Sequence, residues 1–331
     1  FTPNMINMLL YQNGATDDLT VAGIDSIVFK PADDIEANAI LIEYNNDIAT
    51  VRHNITSEYF NVNVNGADVE IISEASIEGL QYYLSGTTTN GSFSLESDMP
   101  YDVILNNTEI TSLTNVPLNL SKNVERNIII ANGTTNILSD SEDSDGKAVI
   151  NSKGATNISG FGSLTINANK KHGISSDNDI NINGATISIN HSADASKGLK
   201  SDCNIMITDG DVNIVSSGTL TLEALDLGYD ATYCTSIGAD GNFEMRGGKL
   251  NITLPVSNEA GRGIKTDGDI SISGGEINIV SHSGGDTYTN SEGEADSYKS
   301  SCIKADGNIY LYDGNITLLA TGDAGKCVNA D

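Results

Sequence analysis

Basic residues are scarce in this chain: 17 lysines and arginines stand against 45 aspartates and glutamates, a formal charge of −28. That imbalance argues against nucleic acid and against an anionic membrane surface as partners. It also argues against direct binding of an acidic polymer unless cations bridge the two. Long apolar runs are missing, and no stretch approaches the length of a membrane span. The four cysteines form no Cys-x-x-Cys pair of the metal-binding kind. His53, His172, His191 and His282 are scattered and suggest no metal cluster. No long window carries the i, i+3, i+4 spacing of a helix. Tryptophan is absent and proline scarce, while Asn, Ser, Thr and Gly fill the polar slots.

What the chain does have is one pattern said repeatedly. His172 to Ile189, Lys197 to Ile214, Arg262 to Ile279 and Ser301 to Leu318 are copies of it, and Ser236 to Ile252 is a weaker copy. Their first apolar positions are Ile174, Leu199, Ile237, Ile264, Ile303 and Val328, spaced by about 25 to 27 residues and twice by about 38 or 39. The unit is therefore about 25 residues, with two insertions of roughly half a unit. Within a copy, pairs such as Ile180/Ile182 and Ile187/Ile189 alternate with Asn, Ser and Thr. Such alternation means strands with one buried face. A glycine between the two pairs (Gly184, Gly210, Gly247, Gly274, Gly314) marks a bend. No single unit closes a core, but stacked units bury a continuous one. The pattern predicts an all-β fold, a β-solenoid of parallel coils. Ile174, Leu199, Ile237, Ile264 and Ile303 should form one buried column, and Ile180, Ile205, Phe243, Ile270 and Ile309 another.

Residues 1–58 read as an N-terminal strand segment and linker. Asn4 to Tyr11 and Ile24 to Phe29 have strand character, Gly14 to Asp18 turn character, Pro31 to Asn38 is a polar linker, and Ile40 to Tyr44 resumes strand character. The segment ending Ile24-Asp-Ser-Ile-Val-Phe29 resembles the N-terminal parts of exported surface proteins of gut bacteria. A first residue that is Phe1 fits a removed export signal or a trimmed chain. From residue 59 to 331 the alternation is sustained, and Val62 to Ile72 has the strand, bend, strand form of the later copies. Gly325 to Asp331 matches only the opening of a coil, so the natural protein is expected to continue with a further coil or a cap.

An ordered set of segments then carries a resemblance. Val69-Glu-Ile-Ile, Tyr83-Leu-Ser-Gly, Val103-Ile-Leu-Asn-Asn-Thr-Glu-Ile, Gly133-Thr-Thr-Asn-Ile-Leu-Ser-Asp and Gly162-Ser-Leu-Thr-Ile precede the Gly-Ile-x-[Ser/Thr]-Asp repeats. Together they resemble a bacterial carbohydrate-binding family built on a pectate-lyase-like, right-handed parallel β-helix, over about residues 59 to 331. The resemblance implies an exported, calcium-containing protein, extracellular or at the cell surface, with a lipid anchor on a removed N-terminal segment as one form of attachment. It also implies binding of plant polysaccharides such as cellulose and polygalacturonate, without established lyase chemistry.

Every insertion falls at one corner of the repeat: His191–Ser196, Ser216–Thr235, Pro255–Gly261, Ser281–Ser300 and Ala320–Gly325. Equivalent corners of stacked coils line one edge, and loops gathered on a rigid scaffold are where binding usually resides. Tyr229, Tyr233, Tyr288 and Tyr298 offer aromatic faces for sugar rings. Asp226, Asp230 and Asp296 could ligate Ca²⁺ or hydrogen-bond hydroxyls. These stretches could equally be mobile polar loops. Each coil also opens on an Asp (Asp177, Asp202, Asp240, Asp267, Asp306, Asp331), often with an Asp or Asn two residues later, as at Asp269. Asp240, Asp267 and Asp269 could hold calcium between coils, or could be turn residues that cap their own backbone. Lys200, Lys265 and Lys304, two residues before three of these, read as a solvated Lys–Asp ladder.

A pectate-type lyase needs a base, usually Arg or Lys, beside calcium. Of Arg52, Arg126, Arg246 and Arg262, only Arg262 lies next to the loop edge. Cys302 and Cys327 share a slot in neighbouring coils, within reach of a disulfide or as a reduced stack. The expected protein is an exported polysaccharide-binding β-helix that uses calcium. A calcium-dependent polysaccharide lyase, and a surface adhesin or spacer, are the alternatives.

Overall fold

The computed structural model describes residues 7–12, 15–20 and 35–330. The chain divides into two units, Phe1–Glu36 and Ala37–Asp331. In the first, Asn7–Gln12 pairs antiparallel with Ala15–Thr20, so Ala15 to Asp18, expected in a turn, lie in a strand. The expected strand Ile24 to Phe29 and the turn residue Asp331 lie outside the described residues.

The second unit is a parallel β-helix. Each complete coil is a short strand, a tight turn, a long bent strand and a corner. The short strands stack into an 11-stranded sheet and the long ones into a 13-stranded sheet. His172–Ser176, Lys197–Ser201, Thr235–Ala239, Arg262–Thr266 and Ser301–Ala305 are successive short strands. Ile180–His191, Ile205–Ser216 and Ile270–Ser281 are long ones. Among the described residues there is no helix, and none long and apolar enough to cross a membrane.

The two expected columns are present. Ile174, Leu199, Ile237, Ile264 and Ile303 pair coil upon coil and are fully buried. Ile180, Ile205, Phe243 and Ile270 do the same, and Ile309 continues them half-buried. Ile270 is covered above and below, so the coils it joins cannot collapse onto a missing side chain. Ile270→Ala will destabilise the fold by about 2–5 kcal/mol, read as a lower denaturation midpoint; a change under about 0.5 kcal/mol would refute the register.

The bend glycines form a ladder, with one correction to the sequence reading. Gly184, Gly210, Gly248, Gly275 and Gly314 take φ between +74° and +113°. Gly248 and Gly275 therefore stand in the places expected of Gly247 and Gly274. The apolar pair that follows sets the register: Val212 pairs with Leu250, and the bend sits two residues before each. A Cβ on Gly210 would lie 2.5 Å from the Gly184 carbonyl oxygen, so the close approach of coils as well as the positive φ requires glycine.

The solenoid begins earlier than residue 59. Ala39–Asn45 pairs in parallel with Leu80–Thr88 and antiparallel with Ile48–His53. Phe60–Asn65 and Asp68–Ser73, expected as a coil, form an antiparallel hairpin at the end of the short-strand sheet. The reason is local: Asn65-Gly66 is a hairpin dipeptide, and Gly66 has φ +63°. These two turn-backs make the first strands of the two sheets antiparallel, at one end of each.

Cys302 faces Cys327 across adjacent strands, since Ser301 pairs with Lys326 and Ile303 with Val328. Both thiols are free. Burial, then the Cys327 sulfur beside it, pushes the Cys302 thiol up to about 12.

Candidate functional site

Side chains alternate along the short strands. Leu199 and Ser201 turn inward and are buried, so Lys200 points out. In register with Lys200 are Gly238, Lys265, Lys304 and Asn329. Gly238 leaves a gap in this outward column, and Lys197 fills it: a Cβ at Gly238 would lie 2.8 Å from Lys197 Cδ and 3.3 Å from its Nζ. Four ammonium groups thus share one face of a strongly acidic protein.

The turn aspartates answer them. Lys200 pairs with Asp202, and Lys265 with Asp267 and, at 3.1 Å, with Asp306. Lys304 reaches Asp306 at 3.3 Å. The Lys–Asp ladder expected from the sequence is present, but it is less solvated than expected, because its Lys200, Lys265 and Lys304 side chains are only 15–24% exposed. Burial pulls Lys197 below the ordinary lysine value; Asp240 opposes this, while Lys200 and Lys265 add to it.

One corner insertion borders this face, and a second packs beside it. Ser216–Thr235 contains the antiparallel hairpin Thr221–Ala224 with Tyr229–Thr232, and Ser281–Ser300 contains Asp286–Thr289 with Ala295–Tyr298. The two hairpins touch through a bridge between Tyr229 and Asn290, and Leu220, Ala260 and Tyr298 form a small core beneath them. They are built structure, not bare loops. Where the first hairpin returns to the sheet, the Arg262 guanidinium lies 3.3 Å from the ring centroid of Tyr233. A cleft of about 200 Å³ opens there, lined among others by Lys197, Tyr233, Asp240, Arg262, Lys265 and Asp267.

Of the residues singled out in the sequence, the cleft gathers Tyr233, Asp240 and Asp267. The others are dispersed. Tyr229 and Asp230 are exposed on the first hairpin, and Asp226 is exposed near its tip. On the second hairpin the Tyr288 hydroxyl donates to Asp296 Oδ2 at 3.3 Å, and Tyr298 belongs to the small core rather than to a binding face. Asp269 takes part in a ladder of turns: its Oδ1 accepts the Asn308 N–H at 2.7 Å, and its own N–H donates to Asn242 Oδ1 at 2.7 Å. That is backbone capping between coils. Among the described residues no three His, Cys, Asp or Glu side chains come together as a metal site would need. The carboxylates offered for calcium are spread over turns and hairpins, and Asp267 is held by a lysine. Among the described residues the donor set does not form a calcium cage.

The sequence reading passed over Lys197 as part of a site and weighed Arg262 only as the base of a lyase. The usable signal was small: one glycine in a column of lysines, with a second lysine three residues before Lys200.

A family model described as carbohydrate-binding domain-containing protein matches residues 65–331. A protein of that description from Acetivibrio thermocellus is 28% identical over 141 residues, covering 39% of this chain and 49% of that one. The aligned part thus spans about half the length of that curated relative. The solved structure of a polysaccharide lyase-like protein from C. thermocellum, a gadolinium derivative, aligns with a TM-score of 0.49 and 18% identity, over 88% of this chain and 97% of that chain.

Proposed function

Because the chain belongs to the carbohydrate-binding domain-containing family, we propose that it is an exported polysaccharide-binding module whose cleft takes an acidic glycan of the plant cell-wall type. The observation that carries this reading is the grouping of Lys197, Lys265 and Arg262 beside Tyr233 in one cleft. A uronate carboxylate would lie between the ammonium groups. Its ring would rest against the Tyr233 wall, and Asp240 would accept from its hydroxyls. Displacing a partly exposed Lys–Asp pair is cheap, because such pairs contribute about 0–1 kcal/mol. The charge of −28 opposes approach at long range, but physiological salt screens it beyond about 8 Å. Inside the cleft the local cations decide.

Retardation in gels containing polygalacturonate tests this. The double variant R262A/K265A will bind at least tenfold more weakly, about 1.4 kcal/mol, with its melting temperature kept. Unchanged retardation would sink the reading. Repeating the measurement in chelator tests the calcium dependence that the family resemblance implies. Appearance of an unsaturated product absorbing in the ultraviolet would turn the reading to a lyase.

A further inference from the structure

Lys197 stands apart from the other lysines of the cationic face. Among the described residues Lys200, Lys265 and Lys304 are tied to turn aspartates, whereas no carboxylate forms an ion pair with Lys197. Its backbone is fixed. The strand Lys197–Ser201 lies between two others in the short-strand sheet, and the Lys197 N–H donates to His172 Nδ1 at 2.9 Å. Its stem lies flat over Gly238, where a Cβ would come within 2.8 Å of Cδ and 3.1 Å of Cε. Gly238 is in register with Lys200 on one side and Lys265 on the other. The Lys197 amine is therefore laid between two ammonium groups, in a column whose coils repeat about every 4.8 Å.

An amine attacks a carbonyl only in its neutral form, and burial and like charge favour that form. Burial does hold Lys197 below the ordinary lysine value; Asp240 opposes this, and Lys200 and Lys265 add to it. The side chain nonetheless lines an open cleft of about 200 Å³, shared with Tyr233, Asp240, Arg262 and Lys265. That volume suits a small molecule. Lys265 and Arg262 supply the counter-charge for a carboxylate. Lys265 is one coil from the glycine under the amine, so a carboxylate held on Lys265 leaves the next carbon of the same molecule at the amine. A carbonyl next to a carboxylate fits this arrangement.

We propose that Lys197 is a nucleophile that captures a small 2-oxo acid in this cleft as an imine. The nitrogen lone pair adds to the carbonyl carbon, and a proton passes from nitrogen to the carbonyl oxygen, giving a carbinolamine. The nitrogen then yields its second proton to the Asp240 carboxylate. The hydroxyl takes that proton and leaves as water while the C=N bond forms. Nothing is oxidised or reduced. The inference rests on the proposed function only in taking the cleft as an anion site, and it requires no polysaccharide.

The test incubates the whole chain with glyoxylate and sodium cyanoborohydride, which reduces an imine to a stable secondary amine. Peptide mass spectrometry locates the adduct. Lys197 will be labelled at least tenfold faster than the exposed Lys171 and Lys299. Glycolaldehyde, which lacks the carboxylate, will show a preference at least threefold smaller. K265A will cut labelling of Lys197 by glyoxylate at least threefold with its melting temperature kept, and K265R, which keeps the charge, will label like the parent. Labelling of Lys197 at the rate of the surface lysines, an equal preference with glycolaldehyde, or parental labelling in K265A would overturn the proposal. Unchanged retardation of R262A/K265A by polygalacturonate, with Lys197 of the parent still labelled first, would sink the polysaccharide reading and leave this one standing.

Discussion

Arg126→Leu will destabilise the protein by on the order of 5 kcal/mol, enough to unfold many domains of ordinary stability. Arg126 is fully buried, although arginine rarely is. Its guanidinium holds together the loop that precedes its own strand. It donates to the carbonyls of Leu120, at 2.8 Å, Lys122 and Val124, and to Ser152 Oγ at 2.9 Å. It also lies 5.6 Å from the Tyr101 ring centroid. Leu120 O keeps a second donor in the Lys153 N–H, but the other two carbonyls would be left to find new partners. A buried polar group without one costs about 1–3 kcal/mol, and the void left by the planar head adds to that. Arg126→Lys should recover part of the loss, since one ammonium cannot span the donor fork. Urea denaturation measures both. A leucine variant within 1 kcal/mol of the parent would show that the loop holds itself.

Arg126 also marks how far the sequence could be read. The columns headed by Ile174 and Ile180 were legible because parallel coils stack like on like, so one spacing states both period and burial. The corner insertions were legible for the same reason, since any excess over the period must leave the coil. The outward face was not. Alternation places Lys200, Lys265 and Lys304 on one side, but the Lys197 stem reaches their column only because Gly238 has no side chain, a fact of two coils and not of either alone. The net charge averages over the chain and so could not show that the turns and corners gather a few cations at one cleft. Arg126 gave no sign of its burial for a related reason: its partners are mostly backbone carbonyls, which no residue pattern announces. The hairpins in Ser216–Thr235 and Ser281–Ser300 were hidden by their polar composition, and the small core that orders them rests on Leu220, Ala260 and Tyr298, drawn from three separate corners.

Mild acid will destabilise the fold through two buried histidines. His191 is 1% exposed and lies between the Ser196 and Ser216 hydroxyls, each 2.6 Å from a ring nitrogen. His172 is 7% exposed, and its Nδ1 accepts the Lys197 backbone N–H at 2.9 Å. Burial pulls both from 6.5 down to about 3, and for His172 the neighbouring lysines Lys171, Lys197 and Lys200 add to it. The folded values lie below the unfolded one, so below pH 6.5 the unfolded chain takes up protons that the folded chain refuses. Stability is complete above pH 6.5 and falls as the pH drops toward 3, by about 1.4 kcal/mol per pH unit for each ring. Together they should remove about 4–5 kcal/mol between pH 6.5 and 4.5. The Lys265 and Lys304 pairs with Asp306 hold through that window, because free carboxylates titrate near 4. Asp140, whose carboxyl burial raises, works in the opposite direction. Denaturation curves at steps through that range give the slope. H191Q should halve it, and H172Q/H191Q should leave it nearly flat. A slope that survives in the double variant would place the acid sensitivity in the carboxylates and remove the histidines from the account.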